Sequence, residues 1–111
     1  MITGIGVDME SVKRLKKASQ NKEFLDLVFT QREIRYCKKK KKPHISFAGK
    51  FCAKEAVIKA YNKKISFKNI EIINLRTGKI GIFINGKRNN NIHCSISHTE
   101  EYAVAVAVLE K

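Results

Sequence analysis

The sequence predicts an α+β domain in which an N-terminal strand and helices precede one long central helix packed on an antiparallel sheet. The chain has 111 residues, of which 43% are hydrophobic, and this suits one small domain with an ordinary core. Residues 44–61 carry apolar side chains at helical spacing. After residue 64 the sequence changes to short runs of β-branched residues separated by turn residues. These observations predict one domain over residues 1–111.

The first strand is predicted at residues 2–9. Successive side chains of a strand point to opposite faces, so Gly4, Gly6 and Asp8 share one face. Asp8 would then leave the end of the strand on a face that glycines keep clear. An aspartate at a strand end can equally cap the following helix, and the pattern does not choose between these two roles.

Four helical segments are predicted next. The first lies between Ser11 and Ser19, and the second follows a cap at Asn21. The third begins at the capping box Thr30–Glu33, and the longest runs from His44 to about Tyr61. The outer side of the first segment is covered by basic residues: Lys13, Arg14, Lys16 and Lys17.

Four strands are predicted in the second half of the chain, joined as an antiparallel meander. They cover residues 69–75, 80–84, 92–97 and 102–109. In the last of them, bulky residues alternate with Ala103, Ala105 and Ala107, so one face is nearly smooth. We expect a helix or a second copy of the sheet to pack against these alanines.

The chain is strongly basic, with a formal net charge of +13. Residues 1–64 contain 17 Lys and Arg against 6 Asp and Glu, so the basic surface belongs to the first half. Such a surface attracts nucleic acid, anionic lipid, phosphorylated small molecules or acidic proteins, and the charge alone does not distinguish them.

The sequence contains no signal peptide pattern and no apolar run of the roughly 20 residues that a membrane span needs. Its three cysteines are scattered and odd in number, which fits a reducing compartment. The sequence therefore predicts a soluble cytoplasmic protein without a membrane span.

One carboxylate interrupts the apolar stripe of the long helix. Phe47, Phe51, Glu55 and Lys59 are spaced by four residues, so Glu55 points where apolar side chains point. A surface Glu–Lys pair is one interpretation. A partly buried carboxylate would otherwise need a cation or several donors. If Asp8 and Glu55 meet, they suffice for Mg²⁺, which in phosphate chemistry is usually held by one or two protein carboxylates, water and substrate oxygens.

Hydroxyl groups and an imidazole cluster at the end of the third predicted strand, in Ser95–Thr99. Ser95 and Ser97 share one face, and His98 follows in the turn. Polar turn chemistry is one interpretation, and phosphate binding through hydroxyl donors and a protonated imidazole is the other. A Ser-His-acid triad is not indicated, because no strand-turn-helix elbow presents either serine.

Three motifs in order resemble those of the holo-acyl-carrier-protein synthases, the small bacterial type of 4′-phosphopantetheinyl transferase. They are Gly4–Asp8, Phe51–Ala60, and Ser95–Thr99 followed by Tyr102–Ala105. The resemblance spans nearly the whole chain and implies the fold of that family. It also implies magnesium-dependent transfer of the 4′-phosphopantetheine group from coenzyme A to a serine of an apo acyl carrier protein, in fatty acid biosynthesis, with release of adenosine 3′,5′-bisphosphate.

The same resemblance implies roles for individual residues. Asp8 and Glu55 match the metal-binding acids of the family, and Glu55 and Lys59 are the expected catalytic residues. The residues expected to contact coenzyme A are Lys50, Lys59, Ser97, His98 and Thr99. The acidic carrier protein is expected to dock on Lys13, Arg14 and Lys17. Family members generally form homotrimers with active sites between subunits.

Three departures from the family pattern are visible. Lys50 stands where the family usually has an arginine, Asn62–Ile65 lacks the usual loop glycine, and the usual Gly-Lys-Pro turn is Gly78-Lys79-Ile80. Lysine cannot give the bidentate phosphate contact of arginine, so coenzyme binding is expected to differ.

Two other functions compete with the transferase assignment. The first is a small basic nucleic-acid-binding protein, in which Lys38–Lys42 contacts phosphates. Against it, lysines outnumber arginines 18 to 5 and no RNA-binding signature is present. The second is an inactive homologue that only binds carrier protein.

Overall fold

A computed structural model describes residues 1–111. The elements in chain order are β1 (Ile2–Ser11), α1 (Val12–Ala18), α2 (Lys22–Val28), α3 (Gln31–Lys38), α4 (Pro43–Ala60), β2 (Ile70–Asn74), β3 (Ile80–Ile84), β4 (Lys87–Arg88), β5 (Ile92–His98) and β6 (Tyr102–Glu110). The predicted mixture of helices and antiparallel strands is confirmed. The Asn21 cap and the Thr30–Glu33 capping box are both formed, which explains why these helix starts were predictable.

The strands form two separate three-stranded sheets, in the orders β1-β6-β5 and β2-β3-β4. The expected four-strand meander is therefore wrong. The two predicted hairpins belong to different sheets, and β6 pairs with the N-terminal strand along Ile2–Ser11 as well as with β5. Turn residues specify which neighbouring strands pair, but they carry no information on pairing with a strand from the other end of the chain.

Helix α4 lies on the inner face of the first sheet, and small residues bring the two close together. Ala103, Ala105 and Ala107 are buried in the same core cluster as the alanines of α4. A Cβ atom added at Gly4 would lie 1.9 Å from the carbonyl oxygen of Ala60, inside van der Waals contact. The alanine face is thus covered by the long helix, and this close approach sets α4 directly beside β1.

The opposite face of the first sheet is apolar and exposed. Its large exposed side chains are Ile5, Val7, Met9, Tyr102, Val104 and Val106. The surface that remains for a second copy is therefore this bulky face and not the alanine face. No helix of the structure combines the length and the apolar character needed to cross a membrane.

A buried ion pair connects helices α3 and α4 to the second sheet. Lys54 Nζ lies 2.6 Å from Glu33 Oε1, and both side chains are 0% exposed. Lys54 also donates to two backbone carbonyls, while the Glu33 carboxylate accepts from the backbone N–H groups of Thr30 and Ile72. Every polar group of the pair therefore has partners, as a buried charge requires.

Candidate active site

Asp8 and Lys59 meet where β1 crosses α4. Lys59 Nζ lies 3.4 Å from Asp8 Oδ1 and donates a 2.9 Å hydrogen bond to the carbonyl of Val7. Asp8 does not cap the next helix, because β1 continues to Ser11 and the Ser11 hydroxyl is the group that caps α1. The Asp8 carboxylate is therefore not used as a helix cap, and its side chain is only 12% exposed.

Glu55 faces the same region from α4, one helical turn before Lys59. It is partly buried and forms no ion pair with Lys59, whose ammonium turns toward β1 instead. Burial raises the pKa of Glu55, the negative charge of Asp8 raises it further, and the Lys59 ammonium opposes this. The carboxylate is thus not engaged in the ordinary surface pair that its spacing from Lys59 allows.

Glu10 is a third acid in this region that sequence reasoning missed. Its pKa is raised to about 7, first by burial and then by the neighbouring carboxylate of Asp8. The signal was available, because strand alternation places residue 10 on the face of Asp8. It was missed because the strand was predicted to end at Met9, while β1 extends to Ser11.

The residues present fit a magnesium ion. Asp8 Oδ2 is buried without a hydrogen-bond partner, which leaves a carboxylate oxygen free to bind a cation. Asp8 and Glu55 supply the one or two carboxylates that Mg²⁺ takes beside phosphate groups. No set of three or more His, Cys, Asp or Glu forms a complete protein cage, and a site completed by water and substrate oxygens does not need one.

A second group of predicted residues lines a cavity of about 810 Å³ at the other edge of α4. Lys50 and His98 border this cavity, while Ser97 and Thr99 do not. Ser97 is exposed opposite Val104 on the outer face of the sheet. The Thr99 hydroxyl accepts hydrogen bonds from the backbone N–H groups of Glu101 and Tyr102, which is ordinary turn chemistry. His98 belongs to β5 and not to the turn.

Lys50 is buried in the wall of this cavity. Its ammonium donates to the carbonyl of Ile72 at 2.7 Å and to Asn74 Oδ1 at 2.8 Å. It also lies 4.5 Å from the centre of the Tyr36 ring. Burial lowers the pKa of Lys50.

One chain does not bring the acids and the cavity together. Asp8 lies on β1 and His98 on β5, and β6 separates these two edge strands. Two strand spacings place their backbones about 10 Å apart, with α4 packed over the sheet between them. Within one chain the predicted site is therefore two half-sites.

The predicted docking helix is exposed and adjoins the acids. The four cations of α1, Lys13, Arg14, Lys16 and Lys17, all face solvent. Arg14 Nη1 lies 3.8 Å from Glu10 Oε1, so this basic surface reaches the acidic half-site.

Comparison with known proteins shows to which family this chain belongs. Residues 4–107 match the family model of the 4′-phosphopantetheinyl transferase superfamily. The chain belongs to this superfamily. A holo-[acyl-carrier-protein] synthase of Clostridium perfringens is 43% identical to this transferase over 126 residues, covering 99% of this chain and 95% of the relative. A protein of the same name from Chloroherpeton thalassium is 37% identical over 116 residues, covering 96% of each chain.

Solved structures of the superfamily share the whole fold with this transferase. The holo-(acyl-carrier-protein) synthase of Bacillus anthracis, determined in complex with CoA (3′,5′-ADP), has a TM-score of 0.85 and 34% identity, covering 100% of this chain and 98% of that one. The synthase of Neisseria meningitidis has a TM-score of 0.87 and 30% identity, with 100% of both chains covered.

Proposed function

We propose that this chain is a holo-acyl-carrier-protein synthase. It transfers the 4′-phosphopantetheine group from coenzyme A to a serine of an apo acyl carrier protein and releases adenosine 3′,5′-bisphosphate. The observation that carries this assignment is the meeting of Asp8, Glu55 and Lys59, from two distant motifs, beside an exposed basic helix. Residues 1–111 act as one transferase domain, which we expect in the cytoplasm.

Asp8 and Glu55 would hold Mg²⁺ together with the pyrophosphate of coenzyme A. When bound, the ion would supply positive charge that offsets charge on the reacting phosphate oxygens. Lys59 supplies a further positive charge from the protein itself, since its ammonium already lies against Asp8 and is half exposed. Phosphoryl transfer depends mainly on positioning and charge stabilisation, and these three side chains provide both.

The cavity bordered by Lys50 and His98 is the proposed place for the rest of coenzyme A. A volume of about 810 Å³ lies in the range of small-molecule sites. The cavity and the acids occupy opposite edges of one sheet, an arrangement that allows a second subunit to complete the site. We therefore propose a homotrimer in which the acidic half-site of one subunit faces the cavity of its neighbour.

The exposed outer face of β1 and β6 is the surface proposed for this assembly. Replacing Val7 with Lys is expected to convert the trimer to monomers and to lower transfer by at least about tenfold, because a charge would be buried at the interface. Light scattering measures the first effect and a transfer assay the second. The control is Leu27→Lys, an exposed apolar residue of α2 that lies off this face. A monomeric unsubstituted chain at micromolar concentration would contradict the assembly.

The exposed cations of α1 are proposed to attract the acidic carrier protein. Arg14→Glu is expected to lower the transfer rate at least about tenfold at low ionic strength, with a smaller loss at high salt, because exposed charges act mainly on encounter. Binding of coenzyme A is expected to stay unchanged. Lys68→Glu makes the same change of charge at an exposed position away from α1 and serves as the control. Equal loss of coenzyme binding would instead place Arg14 in the coenzyme site.

The activity itself is tested by mass spectrometry. An apo acyl carrier protein incubated with this chain, coenzyme A and Mg²⁺ is expected to gain one phosphopantetheine group on serine. No gain of mass, with carrier protein still bound, would favour the inactive homologue. The relatives reported above are named for holo-acyl-carrier-protein synthesis, so the nucleic-acid-binding alternative receives no support.

A further inference from the structure

The lining of the cavity beside α4 includes basic residues and no acidic ones. Its ionisable basic residues are Lys50, Lys79, Arg88, His93 and His98, and no Asp or Glu side chain borders it. A concave surface of one sign concentrates ligands of the opposite sign. The cavity therefore suits an anion, which would be bound by those cations of the lining that have no protein partner.

The ammonium group of Lys50 is already held by protein groups. An ammonium group has three donors, and two of them are used by Ile72 O and Asn74 Oδ1 while the Tyr36 ring lies against the group. The residue is only 3% exposed. Turning the ammonium toward a ligand would leave a buried carbonyl without a partner, which is costly.

Lys79 and Arg88 are in the opposite situation. Lys79 directly precedes β3 and Arg88 ends β4, and both residues are exposed where they border the cavity. The side chains of both residues form no ion pair and no hydrogen bond, unlike His93, whose Nε2 lies 3.1 Å from Glu110 Oε1. They are the two permanent cations of the cavity that remain free to meet a ligand.

We propose that Lys79 and Arg88 bind the phosphate groups of the nucleotide end of coenzyme A, while Lys50 is a positioning residue that joins α4 to β2 and shapes the cavity wall. This inference rests on the proposed function. The arginine that is usual at position 50 suggests that one residue both shapes the cavity wall and binds the coenzyme. In this chain the two roles belong to different residues, because the enclosed Lys50 binds protein groups and not the ligand.

The experiment measures binding of adenosine 3′,5′-bisphosphate by calorimetry at low and high ionic strength, together with thermal unfolding. Lys79→Met and Arg88→Met are each expected to weaken binding at low salt about tenfold, to flatten its salt dependence and to leave the melting temperature unchanged. Lys50→Met is expected to lower the melting temperature by roughly 5 °C or more while keeping the salt dependence of the unsubstituted chain. Lys87→Met, on β4 but outside the cavity lining, is the matched control and should change neither quantity.

A second variant keeps the test decisive where Lys50→Met fails to fold. Asn74→Ala removes one acceptor of Lys50 without changing charge, so a positioning role predicts a lower melting temperature and an unchanged salt dependence. A flattened salt dependence with normal stability in Lys50→Met, or normal binding in both Lys79→Met and Arg88→Met, would overturn the assignment. If the unsubstituted chain does not bind the bisphosphate, the proposed function fails together with this inference. If the bisphosphate binds and only the Lys50 substitution weakens that binding, the inference alone is refuted.

Discussion

Replacing Glu55 with Gln is expected to lower phosphopantetheine transfer by about 100-fold or more, the scale of losing one electrostatic contact to a transition state. The substitution keeps the size of the side chain and removes its charge. The negative charge of Asp8 acts on Glu55, so the substitution removes one of the negative charges available to a cation there. Calorimetry with Mn²⁺ in place of Mg²⁺ should show weaker metal binding by the same variant, independently of turnover.

The matched control for this prediction is Glu101→Gln. Glu101 is an exposed carboxylate in the turn between β5 and β6, and its side chain forms no hydrogen bond or ion pair. Near-normal transfer by Glu55→Gln at saturating Mg²⁺ would exclude the shared-metal arrangement. Loss of transfer with unchanged Mn²⁺ binding would leave Glu55 a role in the reaction and remove it from the metal site.

Replacing Lys54 with Met is expected to destabilise the protein by about 3–5 kcal/mol, because it leaves the Glu33 carboxylate buried without its cation. Both side chains are completely buried, and the pair connects α3, α4 and the second sheet. For a chain of this size, such a loss corresponds to a fall in melting temperature of roughly 10–20 °C. Thermal unfolding followed by circular dichroism measures it.

The exposed pair Lys22–Asp26 provides the comparison, since the Lys22 side chain is 90% exposed. Lys22→Met should change stability by less than about 0.5 kcal/mol. Adding Glu33→Gln to Lys54→Met should recover part of the lost stability, because it removes the unpaired charge. Equal, small effects of Lys54→Met and Lys22→Met would show that the buried pair contributes nothing beyond a surface contact.

The sequence was informative wherever the signal was local. Helix starts followed from side chains that cap their own backbone, as at Asn21 and Thr30. The glycines on one strand face marked Asp8, and the interrupted apolar stripe of the long helix marked Glu55, while the meeting of the two acids was implied only by the family resemblance. These patterns record the immediate surroundings of an element, whereas the contact between Asp8 and Lys59 is seen only in the structure.

Features that depend on distant segments could not be predicted in the same way. The sequence indicates the role of Glu33 in the capping box, but it does not indicate the second role of Glu33 as the partner of Lys54. The division into two sheets depends on pairing between β1 and β6, whose residues are about a hundred positions apart. The enclosure of Lys50 depends on Tyr36 and β2, and neither is marked in the sequence near position 50.

The central place of β6 has a consequence for motion within the protein. Both edges of β6 are hydrogen-bonded, to β1 and to β5, whereas each of these neighbours is bonded along one edge only. Amide hydrogens of β6 should therefore exchange with solvent slowest in this sheet, and those of the outer strands sooner. Asp8 and His98 thus lie on strands that can open separately about one fixed strand, so the two half-sites of one chain can fluctuate independently of each other.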